Sequence, residues 1–392
     1  MRRLRVSAVT VAALLLAACA GPQRPATPVA VVPPVVSQDT AKPAVPDVKW
    51  KRVAWSDVPS GWQMAGSGAA WQTGCRVLAA DSQWAALCQA DQSALNDVNW
   101  WQSQFDVYQV STTDGNVSGM LTGYYEPYLS GSLSRTSRFN YPVYGVPADL
   151  LTLDMSALYP ELKGSRVRGR VEGKRVLPYW SREAIEAGKL PADTPVLAWV
   201  DDPVALFFLQ VQGSGRIRLA DGRQVRLGYA DQNGYPYQSI GRELIRRGEL
   251  TLDQASMQGI QAWAKRNPSR LQGLLNVNPS YVFFRQLPDS NEGPIGSLNV
   301  PLTEGYSIAV DTRSVPLGAP VLLETQLPDS TQAARRLVMA QDTGGAIRGA
   351  VRADLFTGLG DAAGQLAGRM RQPLKYWVLW PKGKPLPAEM PR

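Results

Sequence analysis

Many short runs of apolar or alternating residues, separated by glycine- and proline-rich turns, are the feature that most limits how this 392-residue chain can fold. Runs of this length are typical of β-strands rather than helices. Between two of them stands Asp221-Gly222, a pair that favours a tight hairpin. The predicted strands are Ser118–Tyr125, Val196–Val200, Leu206–Val211, Arg216–Leu219, Gln224–Leu227, Ser280–Arg285, Ser307–Val310, Val321–Glu324, Leu337–Gln341 and Tyr376–Trp380.

Helical patterns are fewer, and no internal repeat indicates a solenoid. The predicted helices run from Ser181 to Gly188, from Ser239 to Arg247, from Thr251 or Asp253 to just before Pro268, and from Asp361 to Arg371. Many strands with scattered helices predict a mainly β protein, built either as a barrel or as two β domains.

The first residues resemble an export signal. Arg2, Arg3 and Arg5 precede an apolar run, Val6–Ala18, which is too short to span a bilayer, and small residues then lead into Cys19. This order predicts a lipoprotein signal peptide, residues 1–18, with Cys19 as the acylated first residue of the mature chain. Because no aspartate follows Cys19, we expect a lipid anchor in the outer membrane, facing the periplasm. The alternative is a chance cysteine in an ordinary signal peptide.

The segment after the anchor is rich in proline and has no amphipathic period, so residues 19–48 are predicted to be an extended tether. Export places the remaining chain in an oxidising compartment. Cys75 and Cys88 are the two cysteines left once Cys19 is acylated, and a disulfide between them is predicted, with two free buried thiols as the alternative.

The sequence contains no histidine, which excludes a Ser-His-Asp triad, a Cys-His dyad and a His-ligated metal centre. We expect no metal and no cofactor. Net charge is +8, and removal of the signal peptide with its three arginines leaves +5. Such a charge favours an anionic polymer, but no basic, aromatic-interleaved motif indicates nucleic acid.

Three aspartates in the last hundred residues carry the chemistry. Asp311 ends one apolar strand, Asp342 ends another and opens a glycine turn, and Asp354 follows that turn. If the strands are neighbours, the carboxyls share a pocket, and like charges together with apolar neighbours raise at least one pKa. A carboxylic acid that stays protonated near neutrality can protonate a glycosidic oxygen. Three turn-capping or salt-bridged aspartates are the alternative interpretation.

These residues form part of several blocks that occur in a fixed order. The chain resembles the membrane-bound lytic murein transglycosylase A family, including its three-aspartate "3D" domain. The blocks are Thr122-Gly123-Tyr124-Tyr125-Glu126-Pro127, Leu209-Gln210-Val211-Gln212-Gly213-Ser214-Gly215, Asn278-Pro279-Ser280-Tyr281-Val282-Phe283-Phe284, Val310-Asp311, Ala340-Gln341-Asp342-Thr343-Gly344-Gly345-Ala346-Ile347-Arg348-Gly349 and Asp354.

The resemblance implies a fold that the residues alone do not give. It is a double-psi β-barrel, residues 49–127 and 286–392, with a second β-rich domain inserted at 128–285 and a glycan groove between them. It also implies that Asp354 is the single acid and base, with Asp342 and Asp311 as supporting carboxylates in the same pocket. The implied reaction is non-hydrolytic cleavage of the β-1,4 bond between N-acetylmuramic acid and N-acetylglucosamine, which leaves 1,6-anhydromuramoyl ends.

Polar and aromatic residues of the same blocks, together with residues of the turn-rich loop Asp231–Tyr237, are candidate contacts for the glycan strand, the expected partner. Tyrosine rings stack on sugars, and two glutamines alternating along a predicted strand share one face. Core packing and a solvated sheet face are the alternatives. The candidates are Thr122, Gly123, Tyr124, Tyr125, Glu126, Gln210, Gln212, Gly213, Ser214, Asn233, Tyr235, Thr343 and Gly344.

Two rival functions fit part of the pattern. Asp311-Thr312 and Asp342-Thr343-Gly344 invite comparison with an aspartic peptidase, but Arg313 stands where the first site needs glycine. The other rival is a lipoprotein that binds peptidoglycan or scaffolds cell-wall enzymes without catalysis.

Overall fold

The computed structural model describes residues 48–387 except 160, 161, 163–166, 253 and 329. The predicted signal peptide, Cys19 and nearly all of the tether therefore lie outside the described residues. The strands are β1 Lys49–Val53, β2 Phe105–Ser111, β3 Gly119–Glu126, β4 Tyr128–Ser132, β5 Tyr141–Tyr144, β6 Leu151–Thr152, β7 Arg168–Glu172, β8 Arg175–Pro178, β9 Val196–Val200, β10 Ser214–Arg218, β11 Gln224–Gln232, β12 Val282–Leu287, β13 Ser307–Val310, β14 Pro320–Gln326, β15 Ala333–Asp342, β16 Arg352–Leu359 and β17 Arg371–Pro381.

Helices connect and cover these strands. They are α1 Ser67–Leu78, α2 Gln92–Asn96, α3 Val98–Gln104, α4 Arg182–Glu186, α5 Pro203–Gln212, α6 Ile240–Arg246, α7 Met257–Arg266, α8 Pro268–Leu275 and α9 Gly360–Arg369, with two short 3-10 turns at Trp55–Asp57 and Leu87–Gln89. No helix within the described residues is long and apolar enough to cross a bilayer. The predicted mainly β architecture with a few helices is confirmed.

Six strands close into a barrel. Around the ring the order is β3, β17, β14, β15, β13 and β16, and β16 returns to pair with β3. The neighbours β13–β15 and β16–β3 are parallel, and the other pairs are antiparallel. Strands β2 and β1 extend the wall outward from β17. Closure of the ring leaves no unpaired edge among these six strands, which removes a route to aggregation.

The alternation of exposed and buried side chains along the strands explains why the barrel forms. In β17 the side chains of Arg371, Pro373 and Lys375 are exposed, whereas Leu374 and Tyr376 are buried in the interior. This period of two turns one face of each strand toward the core and the other toward solvent. The barrel therefore has an apolar interior and an outer face that is free to carry polar groups.

The segment before β2 packs on the barrel from outside. Ser67 donates a hydrogen bond to the carbonyl of Leu337 at 2.7 Å, and Gln341 donates to the carbonyl of Ala70 at 2.8 Å, so α1 is bonded to β15. A disulfide joins Cys75 to Cys88, whose Cα atoms lie 5.5 Å apart. It closes the loop between α1 and the second 3-10 turn, around a cluster of tryptophans.

A second sheet comes from the middle of the chain. Its order is β12, β11, β10, β4, β9 and β5, and a small sheet of β6, β7 and β8 lies apart from it. The hairpin predicted at Asp221-Gly222 is confirmed: it joins the antiparallel strands β10 and β11, and Gly222 adopts the positive φ of +85° that the turn requires. Strand β4 pairs in parallel with β10.

One predicted strand, Leu206–Val211, is wrong, because these residues lie in helix α5. Asp202 caps the helix, Pro203 occupies its first turn and Gly213 ends it at a φ of +79°. The helix packs in two apolar clusters, with Leu206 and Leu209 in one and Val204 and Phe207 in the other. Apolar residues therefore occupy several of its faces, so the segment lacks an amphipathic period and looks like a strand in sequence. As a consequence, Gln210 and Gln212 do not share one strand face.

One helix also starts later than predicted. Helix α7 begins at Met257, where Ser256 accepts a hydrogen bond from the amide of Gly259, rather than at Thr251; Asp253, the other predicted start, lies outside the described residues. The stop before Pro268 is confirmed, although a further helix, α8, begins at that proline.

The chain leaves the barrel after β3 and returns to it after β12. Both of these connections lie at one buried ion pair. Glu126 lies at the end of β3 and Arg216 in β10, with 3.0 Å between Arg216 Nε and Glu126 Oε2, and their side chains are 0% and 4% exposed. Arg216 also donates to the carbonyls of Ser290 and Glu292 on the returning passage. Arg226 donates to the same returning segment. The guanidinium group of Arg216 thus bonds the outgoing chain to the returning one, and that of Arg226 adds bonds to the returning chain.

We predict that Arg216→Met lowers the free energy of unfolding by about 3–5 kcal/mol, because it leaves the Glu126 carboxylate buried without its partner. Burial raises the pKa of Glu126, against the opposing charges of Arg216 and Arg226. The deficit therefore grows as pH rises above the ordinary pKa of glutamate. Urea unfolding followed by tryptophan fluorescence measures it, with Glu126→Leu/Arg216→Met as the control that recovers part of the loss. A deficit below about 1 kcal/mol, the worth of an exposed ion pair, contradicts the prediction.

Candidate active site

A row of residues crosses the outer wall of the barrel at one level. Ala309 of β13 is in register with Asp354 of β16 on one side and with Asp342 of β15 on the other. Thr122 of β3 is in turn in register with Asp354. Residues directly opposite on neighbouring strands project from the same face. Because Ala353 and its alternate neighbours point into the core, the two carboxyls face outward, one on each side of Ala309.

Asp354 accepts a hydrogen bond from a hydroxyl that itself accepts one from an arginine. The hydroxyl of Thr122 donates to Asp354 Oδ1 at 2.5 Å, and Arg352 Nη2 donates to Thr122 Oγ1 at 2.7 Å. Burial raises the pKa of Asp354 to about 6, against the Thr122 bond and the Arg352 charge, which lower it, while the charge of Asp342 raises it further. Asp354 is therefore able to give up and take back a proton near neutral pH.

Asp342 has a richer set of partners. Tyr124 donates its hydroxyl to Asp342 Oδ2 at 2.9 Å, and Ser297 donates its amide at 2.9 Å and its hydroxyl at 3.0 Å to Oδ1. Burial raises the pKa of Asp342, although the bonds from the Thr343 and Ser297 amides and from the Tyr124 hydroxyl lower it. Burial and the charges of Asp342 and Asp354 raise the pKa of Tyr124, so this phenol stays protonated and remains a donor.

Asp311 occupies a different setting from the other two aspartates. Its side chain is 1% exposed, 2.7 Å from the guanidinium of Arg313, and it accepts the amide of Gly349 at 3.0 Å. Burial raises the pKa of Asp311, but the Arg313 and Gly349 bonds outweigh it, so the pKa lies below its ordinary value. This charged carboxylate fastens the turn between Asp342 and Asp354 instead of facing outward beside them.

Four of the predicted substrate contacts lie beside the two outward carboxyls. Thr122 and Tyr124 donate to them directly, Thr343 Oγ1 lies 2.7 Å from Ser297 Oγ, and Gly344 follows in the same turn. Gly123 has another function: a Cβ atom there would come within 2.8 Å of Ala367 Cα, so this glycine lets β3 lie against α9.

Most of the remaining candidates are inside the protein, where hydrogen bonding to other protein groups explains their polarity. Tyr125 is 6% exposed against α9, Glu126 is in the buried ion pair, and Gln210 is bonded to Arg182. Asn233 is 1% exposed and bonds the backbone of Trp180, Pro279 and Tyr281. In this structure these side chains are buried among protein groups, and their role in binding a sugar stays a prediction.

The last four candidates also have local roles. Gln212 accepts the amide of Tyr125 at 3.1 Å, Gly213 ends α5, and Ser214 is the buried first residue of β10. Tyr235 is half-buried in the loop after β11, and its amide is 3.5 Å from the Asn233 side chain.

Two site residues were missed in the sequence. Arg352 precedes Asp354 by two positions on the same strand, so the period of a strand predicts that both project from one face. Ser297, by contrast, reaches Asp342 from a distant loop, and no local pattern points to it. Within the described ranges, no group of three side chains has the arrangement of a metal site.

A cavity of about 440 Å³ lies at the far end of β16, the strand that holds Asp354. It is lined by Tyr128, Leu129, Ser130, Arg218, Leu359, Gly360, Asp361 and Ala362, between the six-stranded sheet and the start of α9. The two carboxyls lie on the barrel wall and not in this cavity. The geometry of their hydrogen bonds, rather than the size of a cavity, identifies the candidate active site.

Two family models match the chain. The 3D domain matches residues 306–380, which hold β13 to β16 and most of β17, and the MltA specific insert domain matches residues 120–285. The barrel wall with its outward carboxyls is thus that of a 3D-domain protein. The same chain also contains the MltA specific insert domain.

Similar proteins of known identity show which family of 3D-domain proteins this chain belongs to. The chain is 35% identical over 288 residues to membrane-bound lytic murein transglycosylase A of Escherichia coli K12, covering 72% of this chain and 71% of that protein. A homolog from Buchnera aphidicola is 31% identical over 294 residues, covering 73% and 72%. The chain belongs to the membrane-bound lytic murein transglycosylase A family, as its motifs predicted.

Solved structures agree with this assignment. MltA from Neisseria gonorrhoeae is similar with a TM-score of 0.75 and 38% identity, over 86% of this chain and 94% of that one. E. coli MltA with bound chitohexaose is similar with a TM-score of 0.68 and 30% identity, over 85% and 94%.

We predict opposite pKa shifts of Asp354 from two substitutions beside it. Thr122→Val removes a hydrogen bond that favours the carboxylate, so the pKa of Asp354 rises above about 6. Asp342→Asn removes a neighbouring negative charge, so the pKa falls. Carboxyl ¹³C NMR titration measures both, with Asp354→Asn identifying the resonance. Shifts in the same direction would contradict the assigned contacts.

Proposed function

We propose that this protein is a lytic transglycosylase which cleaves the β-1,4 bond between N-acetylmuramic acid and N-acetylglucosamine in peptidoglycan, with Asp354 as its acid and base. The observation that carries the proposal is the Asp354 carboxyl on the outer barrel wall, which accepts the Thr122 hydroxyl and lies in one row with Asp342. Its pKa, raised to about 6 by burial, fits the same role. Family membership supports the reaction class, since the relatives are named lytic murein transglycosylases.

In the first step, protonated Asp354 gives its proton to the bridging glycosidic oxygen. The bond from that oxygen to C1 of the muramoyl sugar breaks, the oxygen leaves as the hydroxyl of the next sugar, and positive character develops at C1. Asp354 is then a carboxylate. The Thr122 hydroxyl, held by Arg352, stabilises this charged form by its hydrogen bond.

In the second step, the C6 hydroxyl of the same muramoyl sugar attacks C1, and Asp354 takes up the hydroxyl proton. A 1,6-anhydro ring forms, and Asp354 is protonated again for the next cycle. Because the nucleophile belongs to the substrate, no second carboxyl is needed to activate water or to form a covalent intermediate.

The proposed role of Asp342 is electrostatic. Its charge raises the pKa of Asp354, which favours the acid before the first step. An anion on the same wall also stabilises positive charge that develops at C1. Asp311 supports the site indirectly, by fastening the turn that leads to Asp354.

The binding partner in this proposal is the glycan strand itself. The chitohexaose in the E. coli MltA structure, a β-1,4-linked chain of N-acetylhexosamines, supports a glycan ligand for this family. Among the candidate contacts, Thr122, Tyr124, Thr343 and Gly344 are the ones that lie beside the two outward carboxyls.

We also propose the division into a barrel domain, residues 49–127 and 286–392, and an inserted domain, residues 128–285. The pairing of the strands supports it, since the closed barrel draws on both ends of the described chain and the six-stranded sheet on its middle. The relatives are named membrane-bound. For this chain we propose an outer-membrane lipid anchor at Cys19, with the enzyme facing the periplasm.

We predict that Asp354→Asn lowers the release of soluble muropeptides from purified sacculi by about 10²–10⁴-fold, the usual contribution of a general acid. Mass spectrometry identifies the products: ends lighter by one water support the transglycosylase, and hydrated reducing ends indicate a hydrolase. Intact sacculi with the unsubstituted enzyme would favour a protein that only binds peptidoglycan. Lys51→Gln, an exposed position on β1, is the control and keeps full activity.

We predict an acidic optimum for the same reaction. Because Asp354 must be protonated in the free enzyme, kcat/KM falls about tenfold per pH unit above its pKa of about 6. Initial rates on sacculi at constant ionic strength measure the profile. A flat profile between about pH 5 and 8 would exclude Asp354 as the acid.

A further inference from the structure

The row across the barrel wall continues for one more strand. Arg371, the first residue of β17, is in register with Thr122 of β3, and Thr122 is in register with Asp354 on its other side. Its side chain is exposed. Like Pro373 and Lys375, which alternate with buried residues of β17, it projects from the outer face that carries the carboxyls.

Arg371 takes part in none of the salt bridges found among the described residues. Two strand spacings, about 10 Å, separate its backbone from that of Asp354. The side chain of arginine is long enough to cover much of this distance, so its guanidinium is within reach of a ligand that lies along the row.

The row is electrically asymmetric. Asp342 and Asp354 lie toward one end, and Arg371 lies at the other. The other cation beside Asp354, Arg352, is already bonded to Thr122 and to the carbonyl of Met120. An anionic group along this row is therefore repelled at the Asp342 end and attracted at the Arg371 end.

We propose that Arg371 binds a carboxylate carried by muramoyl sugars and so sets the register of the glycan along the wall. The inference rests on the proposed function. In peptidoglycan, neutral N-acetylglucosamine alternates with a sugar whose lactyl group bears negative charge, directly or through its peptide. Guanidinium groups suit carboxylates because they donate two parallel hydrogen bonds. Attraction at alternate sugars distinguishes the two kinds of β-1,4 bond, of which one is to be cleaved.

The test compares Arg371→Gln with the unsubstituted enzyme on three ligands. They are glycan strands that keep their peptides, strands freed of peptides by an amidase, which bear a lactyl carboxylate, and neutral chitohexaose. We expect KM for the anionic strands to rise about fivefold at low salt, with kcat within about twofold and a smaller effect at high salt. Calorimetric binding of chitohexaose stays unchanged, because it offers no carboxylate.

Two further variants serve as controls. Arg285→Gln removes an exposed strand arginine elsewhere, in β12, and leaves KM unchanged. Arg371→Lys keeps the charge but not the paired donors, so it restores part of the affinity. Equal thermal midpoints for all variants verify that each is folded.

Each outcome decides the proposal. A defect confined to peptide-bearing strands supports it and identifies the peptide as the source of the carboxylate, and a defect confined to amidase-treated strands supports it and identifies the lactyl group. An unchanged KM on both, or an equal loss of chitohexaose binding, overturns it. If the unsubstituted enzyme cleaves no strand, the proposed function fails, and calorimetric binding of the same strands to Arg371→Gln still decides the role of Arg371.

Discussion

The arrangement of the two outward carboxyls depends on the register of β13 with both of its neighbours. Ala309 lies between Asp342 and Asp354, one from a parallel strand and one from an antiparallel strand. A slip of one residue would turn either carboxyl into the apolar interior. Because the barrel is closed, each register is fixed by the whole ring and not by one pair alone. Ala309, with its small side chain, is the residue that both acids have as their neighbour in register.

The three aspartates differ in pKa and in role because their surroundings differ, although the residue type is the same. Asp311 is the most deeply buried of them, yet its pKa is lowered because Arg313 and the Gly349 amide bond its charged form. Asp354 has a single hydrogen bond from a neutral hydroxyl, so burial prevails and its pKa rises. The Asp311 carboxylate is thus suited to hold a turn, and the Asp354 carboxyl is suited to move a proton.

Much of the fold was predictable where local pattern and burial agree. Strands Val196–Val200 and Ser307–Val310 have the predicted bounds. The prediction failed at α5, where apolar residues on several faces of the helix remove the period that distinguishes a helix. At the site, the motifs indicated Asp342 and Asp354, but the predicted glycan contacts also included Glu126 and Asn233, which bond internal groups. Contacts such as that of Ser297 depend on tertiary register, which no local pattern contains.

The last strand, β17, pairs with β2, β3 and β14, so it joins the early part of the described chain to the late part. None of these three neighbours can be fully paired until β17 itself has been synthesised. The strands of the middle segment pair among themselves and are complete sooner. The barrel therefore closes only once its last strand is available, through long-range pairings that make folding slow, and a chain truncated before β17 would retain the acid residues but not the wall that aligns them.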